Sequence, residues 1–203
     1  MNSDQTFRFV LTTAAVILFP ILLYYRIRSQ ATRERLDRWQ EGPFILFTLR
    51  PIGLATMAGL IAYLIDPSWM DWSSVRLPGW VRWMGIWMGA IGGALIVWAF
   101  SNLGKNLTDT VVTRRNHTLV LSGPYRWVRH PFYVAVLLAV IGNALAAANW
   151  FLLLGGISVF LLMVIRTKTE EAKLLERFGD QYRAYMARTG RFLPKFGARG
   201  RLS

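Results

Sequence analysis

The chain has no cysteine and only two histidines, His117 and His130, among its 203 residues. The first absence excludes disulfides, thiolate nucleophiles and zinc–sulfur sites. The second leaves two imidazoles with no acidic residue between them, a spacing that does not read as a metal site. Charge is also scarce, at 17% of residues, and acids are the scarcer sign: 11 Asp and Glu stand against 24 Lys and Arg, a formal net charge of +13. What replaces charge is apolar. Hydrophobic residues make up 54% of the chain and aromatics 14%, with nine Trp, which departs from the composition of a soluble domain. The basic excess does not point to nucleic acid. The Lys and Arg sit between apolar blocks and in the C-terminal tail, as the flanks of membrane spans do.

The apolar residues come in long blocks without helical or strand periodicity. Phe7–Tyr25 is bilayer-length and interrupted only by Arg8. It has neither the basic n-region nor the small-residue cleavage site of a signal peptide, so it reads as a retained helix. Pro43–Ile65 carries Arg50, placed to snorkel to an interface, and Pro51, expected to kink the helix. Trp80–Phe100 presents Gly85, Gly89, Gly92 and Gly93 as a small-residue face for close packing. Pro131–Ile165 has no charge and would be roughly 50 Å long as one helix, against a hydrocarbon core of about 30 Å. Two helices turning near Asn149 fit better. The expected fold is therefore an all-α integral membrane protein with about five transmembrane helices, a C-terminal helical hairpin and a cytoplasmic amphipathic tail helix.

The connecting segments alternate in charge as five crossings require. Arg26–Gly42 holds five Arg against three acids, Ser101–His130 five basic residues against Asp109, and the tail from Arg166 ten against four. Asp66–Gly79 has Arg76 against Asp66 and Asp71, and the turn at Asn149 has no charge. The positive-inside rule puts the N-terminus outside and the tail in the cytoplasm. The expected residence is the inner membrane of a bacterium or the endoplasmic reticulum of a eukaryote.

Polar residues concentrate at Asn116–Tyr133, leading into span four, and Arg166–Pro194, leading out of span five; the hairpin brings both to one interface. In the first stretch Gly123-Pro124 signals a turn and Pro131 suits the first helical position. Arg129 and His130 then stand at a helix N-terminus, where the macrodipole disfavours cations. They suggest either an anion held by both groups and the free backbone N–H groups or an interfacial anchor of Arg, Trp and Tyr. In the second stretch Leu174, Leu175, Phe178, Tyr182, Tyr185 and Met186 recur at three- and four-residue steps, giving an amphipathic helix bent at Gly179, suited to lying on the membrane. Arg166 and Glu170 share one face of it, as an ion pair or as groups lining a cavity.

Arg129-His130-Pro131-Phe132-Tyr133, a helical hairpin and the pair Glu170-Glu171, followed by Phe178-Gly179, Tyr182, Tyr185 and Pro194, resemble the signature of the isoprenylcysteine carboxyl methyltransferase family. These are integral membrane enzymes that transfer a methyl group from S-adenosylmethionine. The resemblance spans Leu103 to Phe196 and implies cofactor contacts at His117, Thr118, Leu119, Val120, Tyr125, His130, Pro131, Phe132, Tyr133 and Glu170. It also implies that Arg166 positions the acceptor. It divides the chain into N-terminal spans at 1–102, a methyltransferase-like core at 103–196 and a basic end at 197–203.

The implied function is methyl transfer to a lipid-like acceptor, as a carboxylate such as that of S-prenylcysteine, without metal or nucleic acid. A carboxylate is ionised at neutral pH and needs no general base, so alignment and charge placement suffice. Two enzyme alternatives stay open: a phospholipid or amine N-methyltransferase, and an NADPH-dependent membrane sterol or steroid reductase with a similar Arg-His and Tyr-x-x-Tyr pattern. A non-catalytic membrane partner is the third.

Overall fold

The computed structural model describes residues 3–30, 43–104 and 118–195. They form five α-helices: α1 (Ser3–Gln30), α2 (Pro43–Ile65), α3 (Gly79–Leu103), α4 (Pro131–Ala147) and α5 (Trp150–Arg188). Short 3-10 turns occupy Pro67–Ser73 and Gly123–Arg126, and no strand occurs among the described residues beyond two isolated bridges. Helices α1, α2, α3 and α5 are long and apolar enough to cross a membrane, and α4, apolar over 17 residues, is at the short end of that range. Large apolar side chains such as Phe9, Phe19, Phe47, Leu54 and Trp87 lie on the outside of the helices, as lipid contact requires. The helix of Pro43–Ile65 runs unbroken past Pro51.

The apolar block Pro131–Ile165 divides where its polar residue stands. Ala148 takes a left-handed conformation (φ 51°) that ends α4. The Asn149 side chain then caps α5 by accepting from the Leu152 N–H at 3.1 Å. Its Nδ2 donates to Ser73 Oγ at 2.7 Å and to the Met70 carbonyl at 3.3 Å. One buried amide thus makes the turn and ties it to the 3-10 turn after α2.

Helix α3 packs most extensively on α4. A Cβ added at Gly92 would lie 2.6 Å from the Ala139 backbone nitrogen, and one at Gly85 2.7 Å from that of Ala146. Gly142 meets Gly85 and Gly89 from the other side, so the two backbones touch along this seam. Gly93 faces Leu18 of α1 instead. At the Asn149 end, buried Arg82 donates from Nε to the Ala146 carbonyl at 2.9 Å, pairs with Asp4 and lies 4.0 Å over the Phe7 ring. Arg8 Nε donates to the Leu64 carbonyl at 2.9 Å, satisfying an orphan acceptor at the end of α2. Trp72 and Trp150 meet edge to face at 5.5 Å at the same end, and exposed Trp69 and Trp80 complete an aromatic belt suited to a membrane interface.

The tail helix follows span five directly. It starts without an intervening loop, and it kinks at Gly179 (φ 49°, ψ −123°) as the glycine suggested. Its apolar face also turns partly inward. Tyr182 and Tyr185 are buried, and the Tyr185 hydroxyl donates to the Tyr125 carbonyl at 2.6 Å.

Candidate active site

The site is built where the segment before α4 meets the second half of α5. Gly123, at φ 58°, turns the chain where a Cβ would collide with the Asn102 side chain. The 3-10 turn Gly123–Arg126 follows, and Pro131 opens α4 with the Arg129-His130 pair just ahead of it.

An anion does neutralise that pair, and it belongs to the chain itself. The Glu171 carboxylate accepts from Arg129 Nε at 2.8 Å, stands 3.1 Å from His130 Nε2 and also binds Arg191. The backbone N–H groups of Arg129 and His130, expected to be free for a ligand, instead donate to the carbonyls of Gly190 (2.9 Å) and Arg191 (3.0 Å). Residues 189–192 therefore run as a strap across the entrance to α4, with a parallel bridge between Val128 and Gly190. Arg129 also donates to the Thr189 carbonyl. Burial opposes ionisation of Glu171, but hydrogen bonds from His130, Arg191 and Arg129 outweigh it and hold the carboxyl below the usual range.

Glu170, the neighbouring carboxylate, faces a different way. Its Oε2 accepts from the Tyr133 hydroxyl at 2.7 Å and lies 3.9 Å from His130 Nδ1, with the side chain partly exposed. His130 is thus held between the two glutamates, Nε2 toward Glu171 and Nδ1 toward Glu170. Since a carboxylate only accepts, the Nε2–Glu171 hydrogen bond places a proton on Nε2. The His130 and Tyr133 rings are 5.2 Å apart, and Phe192 of the strap lies 5.9 Å from the first and 6.5 Å from the second.

Burial raises the Tyr125 and Tyr182 phenols well above their ordinary range and pushes Tyr185 up to about 12. At Tyr125 the charge of Glu170 adds to the rise. All three tyrosines stay neutral at physiological pH.

Of the residues singled out in the sequence, the fold brings His130, Tyr133 and Glu170 together, Tyr125 is buried in the 3-10 turn ahead of α4, and half-buried Arg166 stands one turn before Glu170 on α5. Pro131 begins α4, and Phe132 stacks on Phe100 of α3 at 5.1 Å, packing helix against helix. Thr118 is exposed, and Leu119 and Val120 are half-buried in irregular chain ahead of the 3-10 turn. His117 lies outside the described residues. Sequence reasoning did not find the linking role of Glu171 or the strap residues Arg191 and Phe192. The only signal for the strap was a basic–aromatic pair ahead of Pro194, which also reads as an interfacial anchor.

Residues 84–176 match the profile of the Isoprenylcysteine carboxyl methyltransferase (ICMT) family. The mouse protein-S-isoprenylcysteine O-methyltransferase is 31% identical over 126 residues, covering 61% of this chain and 44% of the relative. Its Xenopus laevis counterpart is 31% identical over 144 residues, covering 70% and 49%. The chain thus spans about half the length of these curated relatives. Among solved structures, the eukaryotic intramembrane Ras methyltransferase ICMT superposes with a TM-score of 0.54 at 24% identity, over 71% of this chain and 51% of that one. The match begins inside α3 and ends beyond the glutamate pair, so it contains the α3–α4 seam, the hairpin and both carboxylates. Over these residues the chain is similar to the isoprenylcysteine carboxyl methyltransferase family.

Proposed function

We propose that the protein is a membrane-embedded methyltransferase that uses S-adenosylmethionine to methylate a lipid-like carboxylate, such as that of an S-prenylcysteine. The carrying observation is the partly exposed Glu170 carboxylate, oriented by the Tyr133 hydroxyl beside His130 Nδ1, one helical turn from Arg166. The donor set fits the cofactor. Glu170 offers a carboxylate to an ammonium group, and the aromatic faces of Tyr133 and Tyr125 suit a sulfonium or an adenine. When bound, S-adenosylmethionine supplies an electrophilic methyl group. His130, Pro131 and Phe132, with the segment 117–120, are the further cofactor residues in this reading, within a core at 103–196.

The chain's own residues do the rest by placement. Arg166 holds the acceptor carboxylate through its two-pronged guanidinium, and Glu170 holds the cofactor's amino end. An ionised acceptor carries its own lone pair, so no side chain has to remove a proton. The positive-inside rule supports a cytoplasmic site, with the N-terminus outside, in a bacterial inner membrane or the endoplasmic reticulum. An amine acceptor would not be drawn to Arg166, which disfavours N-methylation. The reductase reading is tested directly by titrating purified protein with S-adenosylhomocysteine and with NADPH. Saturable binding of the first alone is expected, and binding of NADPH alone would overturn the assignment.

A further inference from the structure

The strap after α5 places one aromatic ring between the polar cluster and the membrane-embedded part of the fold. The Phe192 centroid lies 5.9 Å from His130, 6.5 Å from Tyr133 with the planes 25° apart, and 6.3 Å from Phe160. Phe160 stands ten residues before Glu170 on α5, about 15 Å deeper along the helix, within its apolar part. Phe192 therefore bridges the step from the charged end of the site to the hydrocarbon level. It is fixed there at several points. The strap receives backbone hydrogen bonds from Arg129 and His130, Arg191 is tied to Glu171, and Lys195 Nζ donates to the Met186 carbonyl at 2.9 Å. The ring is only half-buried, so it keeps surface that the protein does not cover.

We propose that Phe192 is a specificity-determining residue whose ring, with Phe160, forms the wall along which the acceptor's hydrocarbon chain lies. This inference rests on the methyl-transfer reading above. Phe160 lies six residues before Arg166, about 9 Å deeper along α5, so the Phe192–Phe160 pair stands at the depth that the hydrocarbon chain of an acceptor held at Arg166 reaches. The wall gives nothing to an acceptor too short to reach it. Phe192 thus discriminates by chain length, and the charged cluster does not.

The test is equilibrium binding to protein in nanodiscs, using N-acetyl-S-prenylcysteines with a single isoprene unit or a farnesyl chain, and S-adenosylhomocysteine as the reference ligand. Wild type should bind the farnesyl compound more tightly. Phe192→Ala should weaken that binding by roughly tenfold, the loss of one or two methylenes' worth of apolar contact. The short-chain compound and S-adenosylhomocysteine should change by less than about twofold, within the scatter of surface substitutions. If the alanine variant also loses S-adenosylhomocysteine, Phe192→Leu is compared by the same criterion. Equal loss for both chain lengths, or none, overturns the inference, as does a wild type with no length preference; in each case the methyltransferase reading stands if S-adenosylhomocysteine still binds. A wild type that does not bind S-adenosylhomocysteine overturns both.

Discussion

Glu171 and Arg129 meet at 2.8 Å across 42 positions of sequence, and their contact joins the two halves of the site. With His130 and Arg191 on the same carboxylate, Glu171 holds the entrance of α4, the middle of α5 and the strap in one arrangement. The adjacent glutamates therefore differ in surroundings: Glu171 links elements of the protein, and Glu170 is left partly exposed.

Glu171→Gln should be strongly destabilising. Removing the charge leaves Arg129 and Arg191 without their counter-ion, and breaking a buried pair costs about 3–5 kcal/mol. Thermal unfolding in detergent measures it, and an unchanged midpoint would remove Glu171 from this role.

The same carboxylate makes stability depend on acid. Its folded pKa is depressed, so the stabilisation is complete above the unfolded value of about 4.3 and is lost as pH falls through the lower folded value. Wild type should lose thermal stability progressively on acidification below pH about 4.3. Glu171→Gln should show a shallower dependence there, and parallel pH profiles for the two proteins would contradict the assignment.

Glu170→Gln should keep the fold and weaken ligand binding. A lost charge-assisted hydrogen bond costs about 1.5–3 kcal/mol, roughly tenfold to a hundredfold in affinity for S-adenosylhomocysteine. Its unfolding midpoint should stay near wild type, opposite to Glu171→Gln. Unaltered affinity would count against Glu170 as a cofactor residue.

Arg166→Lys separates acceptor positioning from membrane anchoring. Lysine keeps the charge and reaches the interface but lacks the planar fork that matches a carboxylate. Turnover of a prenylcysteine acceptor should fall sharply with cofactor affinity preserved. Turnover near wild type would assign Arg166 to anchoring.

The orientation is checked by cysteine labelling, on a chain with no native cysteine to interfere. Arg188→Cys, at the end of α5, should react only with permeant reagents in intact cells. Labelling from outside would reverse the topology.

The membrane spans and the hairpin were legible because bilayer thickness is an external ruler. The uncharged block from Pro131 to Ile165 is too long for one crossing, and Asn149 is the side chain that can end one helix and cap the next. The glycines of α3 were legible for a similar reason, as contact between backbones admits little else. The division of labour between Glu170 and Glu171 was not. Neighbours on a helix point about 100° apart, and only the position of Arg129 decides which turns inward. Nor was the strap, whose pairing with residues 128–130 joins two irregular segments that carry no strand pattern. Gly179 signalled a bend and the chain does kink there, but the inward turn of Tyr182 and Tyr185 onto the protein was not legible from the helical period alone.

One rod, α5, carries Trp150 at one membrane boundary and Glu170 twenty residues on, a rise of about 30 Å and the thickness of a typical hydrocarbon core. The lipid's acyl length therefore becomes a tuning variable for the protein. A bilayer a few Å thicker draws the Arg166–Glu170 level into hydrocarbon or straightens the rod, and a thinner one lifts that level into the headgroups. Membranes of different thickness would hold the same folded chain at different working depths.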